Sequence, residues 1–187
     1  MFDLPLHPAF VHLPLGLCMV LPMLSFLFLV LLKDEKFWPK VWAPILLLQL
    51  GLTGAVYLAA EMGDDQAKKV EKVVSEKFIE EHEESADQLL IASIVSLVIS
   101  AGSFYLQSRK PKSSSRWVSL VAQVAVLGMA MRVGHSGGSL VYKHNAGSAY
   151  LTRPSAADAL QAVPAGAVKA DYDDVKDDDK DEAGKKE

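Results

Sequence analysis

The chain has 187 residues, of which 50% are hydrophobic and 22% are charged, and its formal net charge is −4. This length fits one domain. The weak negative charge and the lack of a basic stripe exclude a nucleic-acid-binding protein, because nothing would neutralise phosphates along a groove. One cysteine, Cys18, excludes an intramolecular disulfide, and its place in an apolar run predicts a buried thiol.

Four long apolar runs, residues 9–32, 41–60, 86–106 and 117–133, dominate the first 150 residues. A helix of about 20 apolar residues crosses the hydrocarbon core of a bilayer. We therefore predict an all-α integral membrane four-helix bundle in residues 1–150. The first run has no basic leader or cleavage site, so we expect a retained anchor. Pro14 and Pro22 predict a kink or a break within it.

A charged segment, residues 61–85, separates the second and third runs. Val70, Val74 and Phe78 recur at helical spacing, which predicts an amphipathic helix, either separate from the third span or continuous with it. Residues 151–187 hold few large apolar side chains. We predict that this acidic tail is disordered, because it buries too little surface to offset its ordering entropy.

The basic residues of the two short connections set the orientation. They are Lys33, Lys36, Lys40, Arg109, Lys110, Lys112 and Arg116. By the positive-inside rule these connections are cytoplasmic, and both termini and the charged segment lie in the periplasm, as in a bacterial inner membrane protein. Trp38, Trp42 and Trp117 flank the same connections and are expected to anchor the helices at the headgroups.

All five histidines fall on one side of this four-span topology. His7 and His12 stand at the start of the first run, His82 precedes the third, and His135 and His144 follow the fourth. An even number of crossings returns these segments to the same face of the membrane. Histidines that are distant in sequence are thus expected to be neighbours.

Several imidazoles at one end of an apolar bundle predict a b-type haem that serves electron transfer, because haem iron takes imidazole as an axial ligand and the macrocycle needs an apolar slot. His12, His82 and His135 come from three different spans and are the expected ligands. We expect His7 and His144 to form a second pair or to bond to the propionates. Arg132, near the end of the fourth run, is expected to be buried and to face a propionate or a carboxylate.

The alternative is a copper or zinc ion held by His12, His82 and His135, in a membrane scaffold or metal-handling protein of a redox or envelope assembly. The candidate oxygen donors are Glu61, Glu81 or Glu83. Structural or pH-responsive histidines and a transport role also stay open.

Catalytic signatures are missing from the sequence, which holds no GxSxG, Walker or HExxH motif, so an enzyme is not favoured. The expected partners are the lipid bilayer, a periplasmic redox protein and a second copy of the chain. Small residues on the second and third runs, such as Gly51 and Gly54, favour the homodimer.

Two histidine motifs carry a resemblance to a known family. The chain opens with HPxxVHxPxG at residues 7–16, has the isolated His82 ahead of the third span, and closes with GHxGGxLVYxH at residues 134–144. Together these features resemble DUF2231, a bacterial family of four-span membrane proteins of unknown function. The resemblance covers roughly residues 5 to 148. It implies the four-span fold and the histidine positions.

Overall fold

The computed structural model describes residues 6–32, 34, 37–109 and 114–150, and all regular structure in these ranges is helical. The elements are α1 (Leu6–Phe10), α2 (His12–Leu31), α3 (Trp38–Val70), α4 (Glu76–Arg109), α5 (Ser115–Tyr142) and a 3₁₀ helix (Ala146–Tyr150). Four helical segments are long and apolar enough to cross a membrane: Leu6–Leu31, α3, α4 and α5. The all-α, four-span prediction is confirmed. The predicted disordered tail lies outside the described residues.

The long helices form a closed ring in which α2 packs on α3, α3 on α4, α4 on α5, and α5 on α2. Near the start of α5, Ser119 meets Ser100 of α4. Near the end of α5, Ser136 meets His82, so α4 and α5 run antiparallel. We call the end with α1, the turn at residues 71–75 and the 3₁₀ helix the histidine end. The loop end is the opposite one, where α2 ends and α5 begins.

The charged segment is divided between two long helices and does not form a separate amphipathic helix. Its first part belongs to α3, which continues to Val70, and its last part begins α4 at Glu76. Val74 and Ile79 are buried where the helices meet, against Ala146 of the 3₁₀ helix. At about 1.5 Å per residue, α3 and α4 each exceed the hydrocarbon thickness by roughly 20 Å. They therefore carry their charged residues out of the membrane.

Helix α5 runs through its glycine-rich stretch, residues 134–138, without a break. It continues to Tyr142, and no described glycine has a positive φ. The chain turns later, at Asn145, whose φ of 58° lies in the left-handed region. Asparagine tolerates this conformation better than most residues. The glycines of this stretch therefore do not end α5.

The expected break in the first span occurs at Val11, between α1 and α2. Pro14 has no N–H to donate, and its ring clashes with the carbonyl four residues earlier, that of Phe10. The amide of Leu15 still bonds to the carbonyl of Val11 at 3.2 Å, and the helix continues from there. Pro14 thus sets the direction in which α1, with His7, leaves the span.

Two of the three tryptophans lie inside the bundle and do not anchor its surface. Trp38 and Trp42 are 1% and 0% exposed, and their ring centroids are 6.4 Å apart. The guanidinium of Arg116 lies 4.1 Å from the centroid of the Trp38 ring and covers it at the loop end. Trp117 is exposed, as an anchor requires. Cys18 is buried in the same core, as expected.

A stripe of buried serines on α4 allows α5 to approach closely. Ser93, Ser96, Ser100 and Ser103 recur every three or four residues and are buried. The Oγ atoms of Ser100 and Ser119 are 2.7 Å apart. Small side chains of this kind let membrane helices pack by backbone contact. The serine stripe therefore fixes the register of the two helices.

We predict that Ser100→Leu destabilises the bundle by about 1–3 kcal/mol, because a large side chain would force α4 and α5 apart. The matched control is Val98→Leu, at a position that is 66% exposed on the same helix and should tolerate the change. Thermal unfolding of the detergent-solubilised variants measures both effects. Equal unfolding temperatures for the two variants would contradict the close packing.

Candidate functional site

Antiparallel packing places all five histidines toward the histidine end. His7 lies on α1 and His12 begins α2, while His82 lies in the part of α4 that precedes its apolar stretch. His135 is in the last two turns of α5, and His144 follows that helix. Topology alone predicted this clustering. The side-chain contacts decide which of the five histidines act together.

His7 is held against α3. Its Nδ1 lies 2.8 Å from the carbonyl oxygen of Ala59. A carbonyl only accepts hydrogen bonds, so Nδ1 carries the proton and Nε2 keeps its lone pair. The ring lies over Gly63, where a Cβ atom would stand 3.4 Å from Cε1 of His7. A glycine there lets the imidazole approach the helix backbone.

His82 is held against α5 by an analogous arrangement. Its Nδ1 lies 2.8 Å from Oγ of Ser136, and that hydroxyl donates its one proton to the carbonyl of Val133 at 3.0 Å. Ser136 must therefore accept from His82, so Nδ1 is protonated and Nε2 again keeps its lone pair. A Cβ atom at Gly137 would lie 3.1 Å from Cε1 of His82, closer than ordinary contact.

The two held imidazoles lie at the same end of the bundle. Both rings are partly buried, and His7 acts on His82 electrostatically. In each, a hydrogen bond at Nδ1 fixes the tautomer that leaves Nε2 as a donor atom for a ligand. This is the arrangement of metal-binding histidines, whose second nitrogen bonds to a carbonyl or another acceptor. We call His7 and His82 the histidine pair.

The structure does not bring His12 and His135 into this pair. Both are exposed, and the Nδ1 of His12 contacts only the carbonyl of Ala9 in its own turn, at 3.2 Å. His135 precedes Ser136, but neighbouring helical residues point in different directions. Within the described ranges, no three His, Cys, Asp or Glu side chains are grouped to hold a metal ion. The expected set of His12, His82 and His135 is therefore not assembled.

His144 stacks on an aromatic ring. Its imidazole lies 3.8 Å, centroid to centroid, from Phe78, at an interplanar angle of 22°. Phe78 is one turn ahead of His82 on α4, so His144 folds back over the bundle end. The 3₁₀ helix that follows contacts α3 and α5, and burial raises the pKa of the Tyr150 phenol.

Arg132 is exposed on the surface of α5, contrary to the expected burial. The helix continues ten residues beyond it, to Tyr142, so Arg132 does not stand at the end of the span. Its predicted contact with a propionate or a carboxylate stays a prediction. Acidic residues on α3 and α4, with one in the turn between them, interact electrostatically at the histidine end. They are Asp64, Glu71, Glu80, Glu83 and Asp87.

Sequence reasoning missed the residues that hold the pair. Ser136 follows His135 directly in the sequence, whereas its hydrogen-bond partner is His82, 54 positions away. Gly63 and Gly137 were not connected with the imidazoles that they accommodate. The contact between His82 and Ser136 depends on the register of α4 against α5, which the sequence does not state.

The comparison with family models supports the fold and leaves the activity open. Residues 3–150 match the family described as "Predicted membrane protein (DUF2231)". No curated protein matches the chain, and no solved structure matches it. The family match spans both histidine motifs and all four membrane-spanning helices, and the chain belongs to the DUF2231 family of predicted membrane proteins.

Proposed function

We propose that this membrane protein binds haem b through His7 and His82 and transfers electrons. The observation that carries the proposal is that two partly buried imidazoles are each held on another helix by a bond at Nδ1, to Ala59 and to Ser136, while Nε2 keeps its lone pair. Haem iron with protein axial ligands supplies one-electron transfer when bound. The chain itself supplies two oriented donor atoms at one end of an apolar bundle.

The number of donors favours haem over a single metal ion. A zinc ion takes three or four protein ligands, whereas the porphyrin supplies four of the six ligands of a haem iron. Among the described residues, no three His, Cys, Asp or Glu side chains are grouped to hold a metal ion. His7 and His82 are the two partly buried histidines that bonds to another helix hold with Nε2 as a donor atom. A two-imidazole site therefore fits an axial pair better than it fits zinc or copper. This pair replaces the ligand set that we expected from the sequence.

We further propose that the histidine end faces the periplasm of a bacterial inner membrane. Lys40, Arg109 and Arg116 lie at the loop end, and the acidic residues of α3 and α4 lie at the opposite one. This asymmetry agrees with the positive-inside rule. The histidine pair would then exchange electrons with a periplasmic partner.

We predict that detergent-purified protein shows a Soret band and, on reduction, sharp α and β bands. His7→Ala and His82→Ala should each lower haem occupancy by at least about tenfold, because each removes an axial donor. His12→Ala and His135→Ala are the matched controls, since both side chains are exposed and should leave the spectrum unchanged. A colourless wild-type protein, or a full spectrum in both pair variants, would disprove this ligation.

Ser136→Ala tests separately whether the hydrogen bond at Nδ1 of His82 orients this ligand. It removes the acceptor of the His82 Nδ1–H, and we expect haem affinity to fall about 10–100-fold, as is usual when a ligand's supporting hydrogen bond is lost. Ser139→Ala, on the same helix, is the control. Titration of the haem-free protein with haem gives both affinities. If the two variants bind alike, Ser136 does not orient the ligand.

We predict the orientation from labelling of engineered cysteines in intact cells. Asn145→Cys should react with a membrane-impermeant maleimide from outside, and Ser114→Cys should react only after permeabilisation, since these exposed positions lie at opposite ends. A Cys18→Ala background removes the native thiol. Labelling of Ser114→Cys alone, or equal labelling of both, would reverse or refute the proposed topology.

A further inference from the structure

A second polar region lies inside the bundle, away from the histidine pair. Gln49 of α3 and Gln123 of α5 are 0% and 2% exposed. In the part of the chain that the structure describes, neither amide has a hydrogen-bond partner at Oε1 or Nε2. The same holds for the hydroxyl of Ser96 on α4 and that of Ser25 on α2. Each long helix thus contributes a buried polar group with an unmet hydrogen bond.

The helix register places three of these groups at one depth. Contacts between His82 and Ser136 and between Ser100 and Ser119 fix the antiparallel register of α4 and α5. In that register Ser96, one turn from Ser100, lies opposite Gln123. On the other side of α4, the hydroxyl of Thr53 lies 3.3 Å from the carbonyl of Ser93.

Gln49 is one turn from Thr53, and its own carbonyl accepts from that hydroxyl at 3.1 Å. The antiparallel contact of α3 with α4 therefore sets Gln49 level with Ser96. We call Gln49, Ser96 and Gln123 the amide layer. Ser25 and the indole N–H of Trp42, which also has no partner in the described structure, lie nearer the loop end.

The chemistry of the unmet groups identifies the ligand class. The amide layer holds two NH₂ donors, two carbonyl acceptors and one hydroxyl, which both donates and accepts. A cation would satisfy the oxygens and leave the N–H groups unmet, and an anion would do the reverse. Water donates and accepts, and buried waters typically bridge such groups. Within a bilayer no external water reaches them, so the partner must be bound.

We infer that the amide layer binds a cluster of water molecules inside the bundle, between Gln49, Ser96 and Gln123. This site is separate from the histidine pair. Along α4, the buried Leu89 stands between Ser96 and His82, and along α5 the buried Val126 and Ala130 stand between Gln123 and Ser136. The buried hydroxyls between the two regions on α4, those of Ser85 and Ser93, bond to carbonyls of their own helix, so the water cluster and the histidine pair are separate.

Magnetic resonance of protein labelled with ¹⁵N-glutamine in lipid nanodiscs tests the inference. Transfer of magnetisation from water protons to the side-chain amides should be seen for Gln49 and Gln123. Gln49→Met and Gln123→Met assign the two signals with a side chain of similar size, and Gln88, outside the core, is the positive control. Transfer to Gln88 but to neither buried amide would overturn the inference and indicate direct bonds between the amides.

A second measurement uses the coupling between the two amides through shared water. In Gln123→Met, the water transfer to Gln49 should be reduced or lost, because the cluster loses part of its support. Val124→Met, on the lipid-facing side of the same helix, should leave the Gln49 signal unchanged. Unchanged transfer to Gln49 in both variants would contradict a water cluster shared by the amide layer.

Discussion

Close packing of α4 against α5 sets the geometry on which the rest of the molecule depends. The 2.7 Å contact between Ser100 and Ser119 is possible because both helices present small side chains there. Since an α-helix is rigid over this length, one close contact fixes the register for several turns in both directions. The same register brings Ser136 to His82 at one end of the bundle. In the middle, it places Ser96 at the same depth as Gln123.

Two polar regions with different physical demands result from this packing. At the histidine end, the Nδ1–H groups of the pair donate hydrogen bonds to Ala59 and Ser136. The two Nε2 atoms keep their lone pairs and can bind a ligand. In the middle of the bundle, the amides of Gln49 and Gln123 are buried without hydrogen-bond partners among the described residues. A buried amide without a hydrogen bond costs about 1–3 kcal/mol in proteins. Bound water offsets that cost, and the residues between the two regions, whose buried hydroxyls bond within α4, keep the regions separate.

Hydropathy predicted the spans well because each crossing is a local property of about 20 residues. The side of the membrane on which each histidine falls followed from counting those spans. The ends of the helices were harder to predict, because α3, α4 and α5 continue beyond their apolar runs. Val74 and Ile79 stabilise these extensions through contacts with Ala146, which is distant in sequence. The prediction that Trp38 and Trp42 anchor the helices at the headgroups failed for a similar reason, since burial of Trp38 depends on Arg116 from another helix.

The sequence by itself determined that this chain is a four-span helical membrane protein with its five histidines toward one end, because apolar run length and crossing parity suffice for both conclusions. Tertiary structure decided that His7 and His82 form the pair, while His12 and His135 stay exposed. It also decided that Gln49 and Gln123 face inward. These outcomes depend on the rotation and register of each helix, which arise from contacts between residues of different helices.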